Sequence, residues 1–325
     1  MRPQADRREV TVRIDKKRYA VLLLAYGGPD SLSDVEPYLL DIRGGRPTPP
    51  ELVEEIRERY RRIGGRSPLL ERTREQAEAL CRRLSRDTDD VGVYVGMRHW
   101  HPYISETVDR IVSDGYRTVV SLCLAPHYSR MSIGAYYEKL DTAVEAGGAS
   151  LQILRVQSWH LHPLFIDALS DRIRAAMRRF APEELSGLHV LFTAHSLPAS
   201  IRDAGDPYEA HIQESARAAA DRVGGLDWSV CFQSAGAHRG PWIGPHLEDE
   251  IPRRARLGVR SLLVVPVGFV SDHVEILYDI DIEAREIAHE HGVCLERTES
   301  MNAHPGFIEA LAAIVKSRME SAGGS

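Results

Sequence analysis

The residue with the clearest chemical opportunity is His195, which closes the apolar run LHVLFTAH (188–195) and is followed by Ser-Leu-Pro. An imidazole at the end of a buried strand suits a proton acceptor or a metal ligand, although a hydrogen-bonded strand-end histidine needs no such role. Ser196 stands beside it, but no Gly-x-Ser-x-Gly elbow occurs, and neighbouring residues on a strand point to opposite faces, which argues against a Ser-His pair. A second opportunity lies in GFVSDHVEILYDIDIEAREIAHEH (268–291), where Glu275, Asp279 and Glu283 recur every fourth residue. On a helix starting near Asp272 they share one face, without an intervening Lys or Arg to offset their repulsion, an arrangement that invites a cation. Asp272 with Glu275 also fits a capping box, which would explain both acids without chemistry.

Imidazole and carboxylate together suit a borderline divalent ion such as ferrous iron, with positions left open for substrate or water. No His-Glu-x-x-His supports a zinc protease, and no Walker A or complete Gly-x-Gly-x-x-Gly calls for a nucleotide. Arg43, Arg46, Arg59, Arg98 and Arg130 lie in or beside loops of the first half, where guanidinium groups would suit a ligand bearing carboxylates. Tyr26, Tyr60, Tyr136, Tyr137 and Trp242 offer flat walls for a planar ligand or, equally, core.

What must position these residues is a repeated α/β frame. Apolar runs at 19–26, 118–126, 188–195 and 261–267 alternate with amphipathic stretches such as ELVEEIRERYRRI (51–63), and continuous rather than alternating hydrophobicity points to parallel strands covered on both faces. The chain also matches itself. VLLLAYGGP (21–29) aligns without gaps on VLFTAHSLP (190–198), and SWHLHPLFIDAL (158–169) on SMNAHPGFIEAL (300–311). Tyr26 and His195 therefore take the same place in two related lobes, each at the carboxyl end of a first strand, where open α/β sheets bind ligands. The additional stretch of the first lobe, about 29 to 68, has the Gly and Pro content of ordered loops around a helix and would serve as a lid.

Composition sets the outer limits. With 325 residues, 43% of them hydrophobic, the chain can bury the core of two domains. A net charge of −6 gives no electrostatic footprint for nucleic acid. Cys81, Cys123, Cys231 and Cys294 lie far apart and signal neither a zinc knuckle nor a disulfide framework, which fits a reducing cytoplasm. No apolar run is long enough to span a membrane, and residues 1–18 read as a polar, flexible tail.

The stretches LLLAYGGP, RYRRIGGRSPL, LAPHYS, FTAHSLP, GDPY, CFQSAG followed by PWIGP, and PVGFVSDHVEILYDIDIEA occur in that order from about Tyr19 to about Lys316. Together they resemble the ferrochelatase family. The resemblance implies an α/β protein of two similar Rossmann-like lobes, 19–180 with cleft-covering loops and 181–325, each with a parallel sheet of four strands flanked by helices, and a porphyrin held between them. It implies insertion of ferrous iron, with iron as a substrate, no required cofactor and no iron–sulfur cluster. His195 and Glu275 are similar to the pair facing each other across the metal site, with Asp279 and Glu283 continuing as an acidic conduit. Arg43, Arg59, Tyr60, Ser67 and Tyr136 match porphyrin contacts. Tyr26 resembles the axial iron ligand of the branch that uses coproporphyrin III, whereas Gly-Gly-Pro after it is as in the protoporphyrin IX branch. A cytoplasmic monomer with a transient haem-pathway protein partner completes the expectation, and a non-catalytic two-lobed porphyrin or haem carrier is the rival reading.

Overall fold

A computed structural model describes residues 19–87, 90–148, 150–236 and 240–323. The opening segment 1–18, read above as a tail, lies outside the described residues. In the first half the order is β1 (Tyr19–Ala25), α1 (Val35–Ile42), α2 (Pro50–Arg62), α3 (Leu69–Leu84), β2 (Val91–Met97), α4 (Ile104–Ser113), β3 (Thr118–Cys123), α5 (Ala135–Ala146), β4 (Gln152–Val156) and α6 (Pro163–Met177). In the second it is α7 (Pro182–Leu185), β5 (Leu188–His195), α8 (Tyr208–Val223), β6 (Asp227–Gln233), α9 (Leu247–Arg256), β7 (Ser261–Val265), α10 (Val274–Leu277), α11 (Arg285–Glu290), β8 (Cys294–Arg297) and α12 (Pro305–Gly323).

The strands form two four-stranded parallel sheets of matching order, β2-β1-β3-β4 and β6-β5-β7-β8. Every residue of β1 and every residue of β7 is buried, because helices cover both faces. In each sheet the first strand pairs with the second on one side and the third on the other, so connections leave its carboxyl end in opposite directions and open a crevice there. His195 is the last residue of β5 and Tyr26 follows β1, so both stand at these crevices.

The stretch from 29 to 68 holds two α-helices, α1 and α2, rather than loops around one, and they pack on each other. Pro50 at the first turn of α2 supplies a φ already suited to helix, and Arg59, Arg61 and Arg62 crowd its last turn, where cations complement the helix dipole.

The two halves share helices. Although α12 belongs to the second half of the chain, it packs on α3, β3 and β4 of the first, while α6 packs on α8 and touches β7. A single apolar core therefore runs through both sheets, with Trp159, Phe165 and Phe307 at its centre, and smaller cores lie on the outer face of each sheet. Phe307 on α12 is fully buried against the rings of Trp159 and Phe165. Phe307→Ala should lower stability by about 3–5 kcal/mol, the usual cost of a buried aromatic, read as a lower denaturation midpoint. Among the described residues no helix is long and apolar enough to cross a membrane.

Candidate functional site

β5 delivers His195 to the crevice and its surroundings hold it there. The Tyr208 hydroxyl at the start of α8 donates to the His195 carbonyl at 2.9 Å, and Ser196 turns inward to donate to the Ile243 carbonyl at 2.7 Å. Behind the strand end, a Cβ on Gly268 would come within 2.7 Å of the Ala194 Cβ, so only glycine lets the turn after β7 lie this close. His195 Nδ1 meets Glu275 Oε2 at 3.0 Å. A carboxylate only accepts, so Nδ1 carries the hydrogen and the Nε2 lone pair stays free on the other side of the ring.

Glu275 is placed by α10, one short turn of helix. His273 at its N-cap brings Nε2 to 3.8 Å from Glu275 Oε2 while its Nδ1 donates to the Ser271 carbonyl at 3.0 Å. Gln233 at the end of β6 donates to the Glu275 carbonyl at 2.6 Å. The capping box expected of Asp272 does not form. Asp272 instead accepts from Ser300 Oγ at 2.7 Å and Asn302 Nδ2 at 2.8 Å, which leaves the Glu275 side chain to His195.

Nor do Glu275, Asp279 and Glu283 share one regular α-helical face. Residues Asp279–Ala284 form a π-helical turn in which the Glu283 N–H reaches back five residues to the Tyr278 carbonyl at 3.0 Å. Such turns recur at functional sites because they re-aim side chains. Asp279 is buried and Glu283 half-buried. The missing counter-charge comes from the other half of the chain: Arg59 on α2 puts Nη1 3.6 Å from Asp279 Oδ1 and lays its guanidinium over the Tyr278 ring at 5.1 Å. Ser234 donates to Asp279 from a left-handed backbone, φ 60°, that few serines adopt.

His195 and Glu275 keep 34% and 28% of their side chains accessible, yet both are densely surrounded, the signature of a concave site. Burial alone would lower the His195 pKa, but the Glu275 charge and hydrogen bond, helped by Asp279, outweigh it and leave it raised. Burial would likewise raise Glu275, and His195 followed by His273 drives it down instead. Asp279 is pushed up to about 7, first by burial and then by the Glu275 charge, with Ser234 and Arg59 opposing and Glu283 adding to the rise. A carboxyl raised in the folded state makes stability fall as pH climbs from its ordinary 3.8 toward 7. Asp279→Asn should therefore raise the melting temperature by a few degrees at pH 8, with the gain shrinking to nothing near pH 4.

The first sheet contributes a matching wall. β2 runs on past Met97, so that the Arg98 and His99 N–H groups donate to the Ala25 and Tyr26 carbonyls, each at 2.9 Å. The rings of Tyr26 and His99 lie 4.7 Å apart, and the Arg98 guanidinium sits 5.9 Å from the Tyr26 ring and 5.4 Å from that of Tyr136. His99 Nδ1 donates to Asp41 at 2.7 Å, and burial holds that imidazole down at about 4 and neutral. Burial first, and the Glu275 charge among later causes, pushes the Tyr26 hydroxyl up to about 12 and raises Tyr60 and Tyr136 too. The field of Glu275 thus reaches tyrosines of the first half of the chain.

The remaining residues singled out in the sequence are distributed around this centre. Gly28 abuts Ser67, whose Oγ would be 2.4 Å from a Cβ there, and the Tyr60 hydroxyl. Arg43 and Arg46 exchange Nε-to-carbonyl hydrogen bonds after α1. Arg130 is exposed, with its N–H on Asp206. Tyr137 is core, its hydroxyl donating to the Val156 carbonyl at 2.5 Å. Sequence reasoning missed His273, Gln233, Ser234, Tyr208, His99 and Asp41 as members of the site. His273, Gln233, Ser234 and Tyr208 lie inside stretches quoted above, PVGFVSDHVEILYDIDIEA, CFQSAG and GDPY, whereas His99 and Asp41 carried no such signal.

The family model for ferrochelatase matches residues 18–319. The chain belongs to the ferrochelatase family. It is 40% identical over 309 residues to a ferrochelatase of Deinococcus radiodurans, covering 94% of this chain and 98% of that one. It is 39% identical to a coproporphyrin III ferrochelatase of a Geobacillus strain, covering 94% and 99%. In fold it is similar to SirB from Bacillus subtilis, with a TM-score of 0.60 at 13% identity, covering 95% of this chain and 98% of that one. The activity of the family is metal insertion into a porphyrin, so this chain is a metal chelatase.

Proposed function

We propose that this chelatase inserts ferrous iron into coproporphyrin III, with His195 and Glu275 as the groups that face the metal. The observation that carries the reading is the 3.0 Å contact between His195 Nδ1 and Glu275 Oε2 at the mouth of β5, which leaves Nε2 as a free lone pair. Insertion replaces two pyrrole N–H protons by Fe2+. His195 Nε2 accepts a pyrrole proton, and Glu275, anionic beside it, makes that imidazole the stronger base and holds the imidazolium that results. Asp279, titrating near neutrality, and Glu283 continue from Glu275 as a route along which Fe2+ enters and displaced protons leave. The macrocycle lies against Tyr26, Tyr60, Ser67 and Tyr136, with Arg43 and Arg59 answering its propionates. Binding made there offsets about 1–5 kcal/mol of ring distortion. No resident cofactor is needed for this exchange.

Tyr26 supports coproporphyrin as substrate. Its phenol stands at the crevice of the first sheet, in the field of Glu275, where iron in the product can take it as an axial ligand in place of its proton. Four propionates against the two of protoporphyrin also suit the arginines around the cleft. Under anaerobic conditions kcat/KM for coproporphyrin III should exceed that for protoporphyrin IX by at least about 10-fold, the least that one charge-assisted hydrogen bond contributes. Tyr26→Phe should leave insertion within a few-fold and change the Soret band of bound product. Faster turnover of protoporphyrin would overturn the substrate assignment.

A further inference from the structure

Away from the iron-insertion site, the geometry points to a second divalent transition-metal site formed by His160, His211 and Glu214. One ligand atom from each lies within 4.8 Å of the other two. His211 and Glu214 stand one turn apart on α8 and so share a face, while His160 comes from the loop between β4 and α6, across the seam between the halves. The His160 and His211 rings stack with centroids 3.9 Å apart and planes at 14°, and His160 Nε2 lies 2.7 Å from Glu214 Oε2.

The surrounding hydrogen bonds direct His160 for ligation. Ser158 Oγ donates to the Pro126 carbonyl at 3.1 Å and lies 2.6 Å from His160 Nδ1, so it accepts the Nδ1 hydrogen and aims Nε2 at Glu214. A carboxylate only accepts, so at 2.7 Å a proton on His160 Nε2 joins the pair, and a metal ion takes that proton's place with the two ligand atoms moved somewhat apart. An oriented imidazole of this kind, its other nitrogen hydrogen-bonded behind it, is the usual companion of a metal ligand. Ser215 donates to the His160 carbonyl at 2.9 Å and takes the hydrogen of the buried His127 Nε2 at 2.9 Å, which fixes the loop itself. His211 lies against His160 from α8. Its Nδ1 accepts the Tyr128 N–H at a long 3.3 Å. Binding exchanges that weak contact, and a tilt of the partly exposed His211 ring out of the stack, for a metal bond. Glu214 is 51% exposed and gives the ion a route from solvent.

Two imidazoles and one carboxylate with a remaining position for water suit Zn2+, Co2+ or Fe2+ rather than Mg2+ or Ca2+, which take oxygen ligands. Calorimetric titration of zinc into the full-length, porphyrin-free chain carrying His195→Ala and Glu275→Gln separates this site from the other. One equivalent should remain bound, and it should weaken by at least about 10-fold on adding His211→Ala, and again on adding Glu214→Gln instead. Glu214→Gln, on an exposed helix face, keeps the test valid if the histidine variant is unfolded in a thermal scan. Zinc binding of equal affinity and number in all three proteins, or none in the first, would overturn the proposal.

Discussion

His195→Ala should lower kcat for iron insertion by about 10²–10⁴, the range lost with a positioned proton acceptor, while KM for the porphyrin changes by no more than a few-fold. The asymmetry follows from where the imidazole sits. In the proposed reaction its Nε2 addresses the pyrrole nitrogens and the metal, whereas the walls proposed to grip the ring are carried by the first sheet and α2. The substitution is also structurally mild. One third of the side chain is accessible, and what fixes the strand end is the Tyr208 bond to the His195 carbonyl and the close approach of Gly268, both independent of the imidazole. Anaerobic steady-state kinetics, following the loss of porphyrin fluorescence, reads kcat and KM separately.

Glu275→Gln should cost about 10²-fold in kcat and also move the pH profile, which distinguishes it from simple damage. Glu275 is what overcomes burial to raise His195. Once it is neutral, burial prevails, the imidazole pKa falls, and the acid limb of kcat/KM, which reports deprotonation of the free enzyme's base, shifts to lower pH. Stability carries the matching sign. The His195 contribution is complete below the ordinary imidazole value of 6.5 and is lost as pH rises through its raised folded pKa. That of Glu275 is complete above the ordinary 4.5 and is lost as pH falls through its depressed one. The pair therefore stabilises most between these two values, and the melting-temperature deficit of Glu275→Gln should be greatest there.

The four strands legible in the sequence, β1, β3, β5 and β7, are the central strands of their sheets, covered on both faces and so continuously apolar. β2, β4, β6 and β8 are edge strands with mixed burial, such as the alternation in Gln152–Val156, and blend into ordinary amphipathic sequence. The internal match told more than any single segment, because equal strand order puts Tyr26 and His195 at equivalent crevices. The exchange of α6 and α12 between the halves left no such mark. A helix buried on a foreign sheet has the same apolar stripe as one buried on its own.

At the site, the acids were legible as a periodic row, but the π-helical turn at Asp279–Ala284 was not, since a single-residue widening leaves the spacing of types unchanged. The counter-charge from Arg59 and the bond from Ser234 arrive from α2 and the end of β6, far away in sequence, and only the fold brings them to Asp279. The same reason hid Asp41 and His99 behind Tyr26. Local pattern locates the ends of elements; which ends meet is a property of topology.

Joint action of His195 and Glu275 on the metal is read from an anaerobic single-turnover experiment. The chain carrying both His195→Ala and Glu275→Gln is loaded with coproporphyrin III and mixed with Fe2+, and the Soret band is followed beside wild type. Porphyrin should bind tightly, with no Soret shift on the time scale of wild-type turnover and a rate no lower than that of the more damaging single variant, because the two residues work as one unit. Iron insertion at the wild-type rate with porphyrin still bound would contradict it.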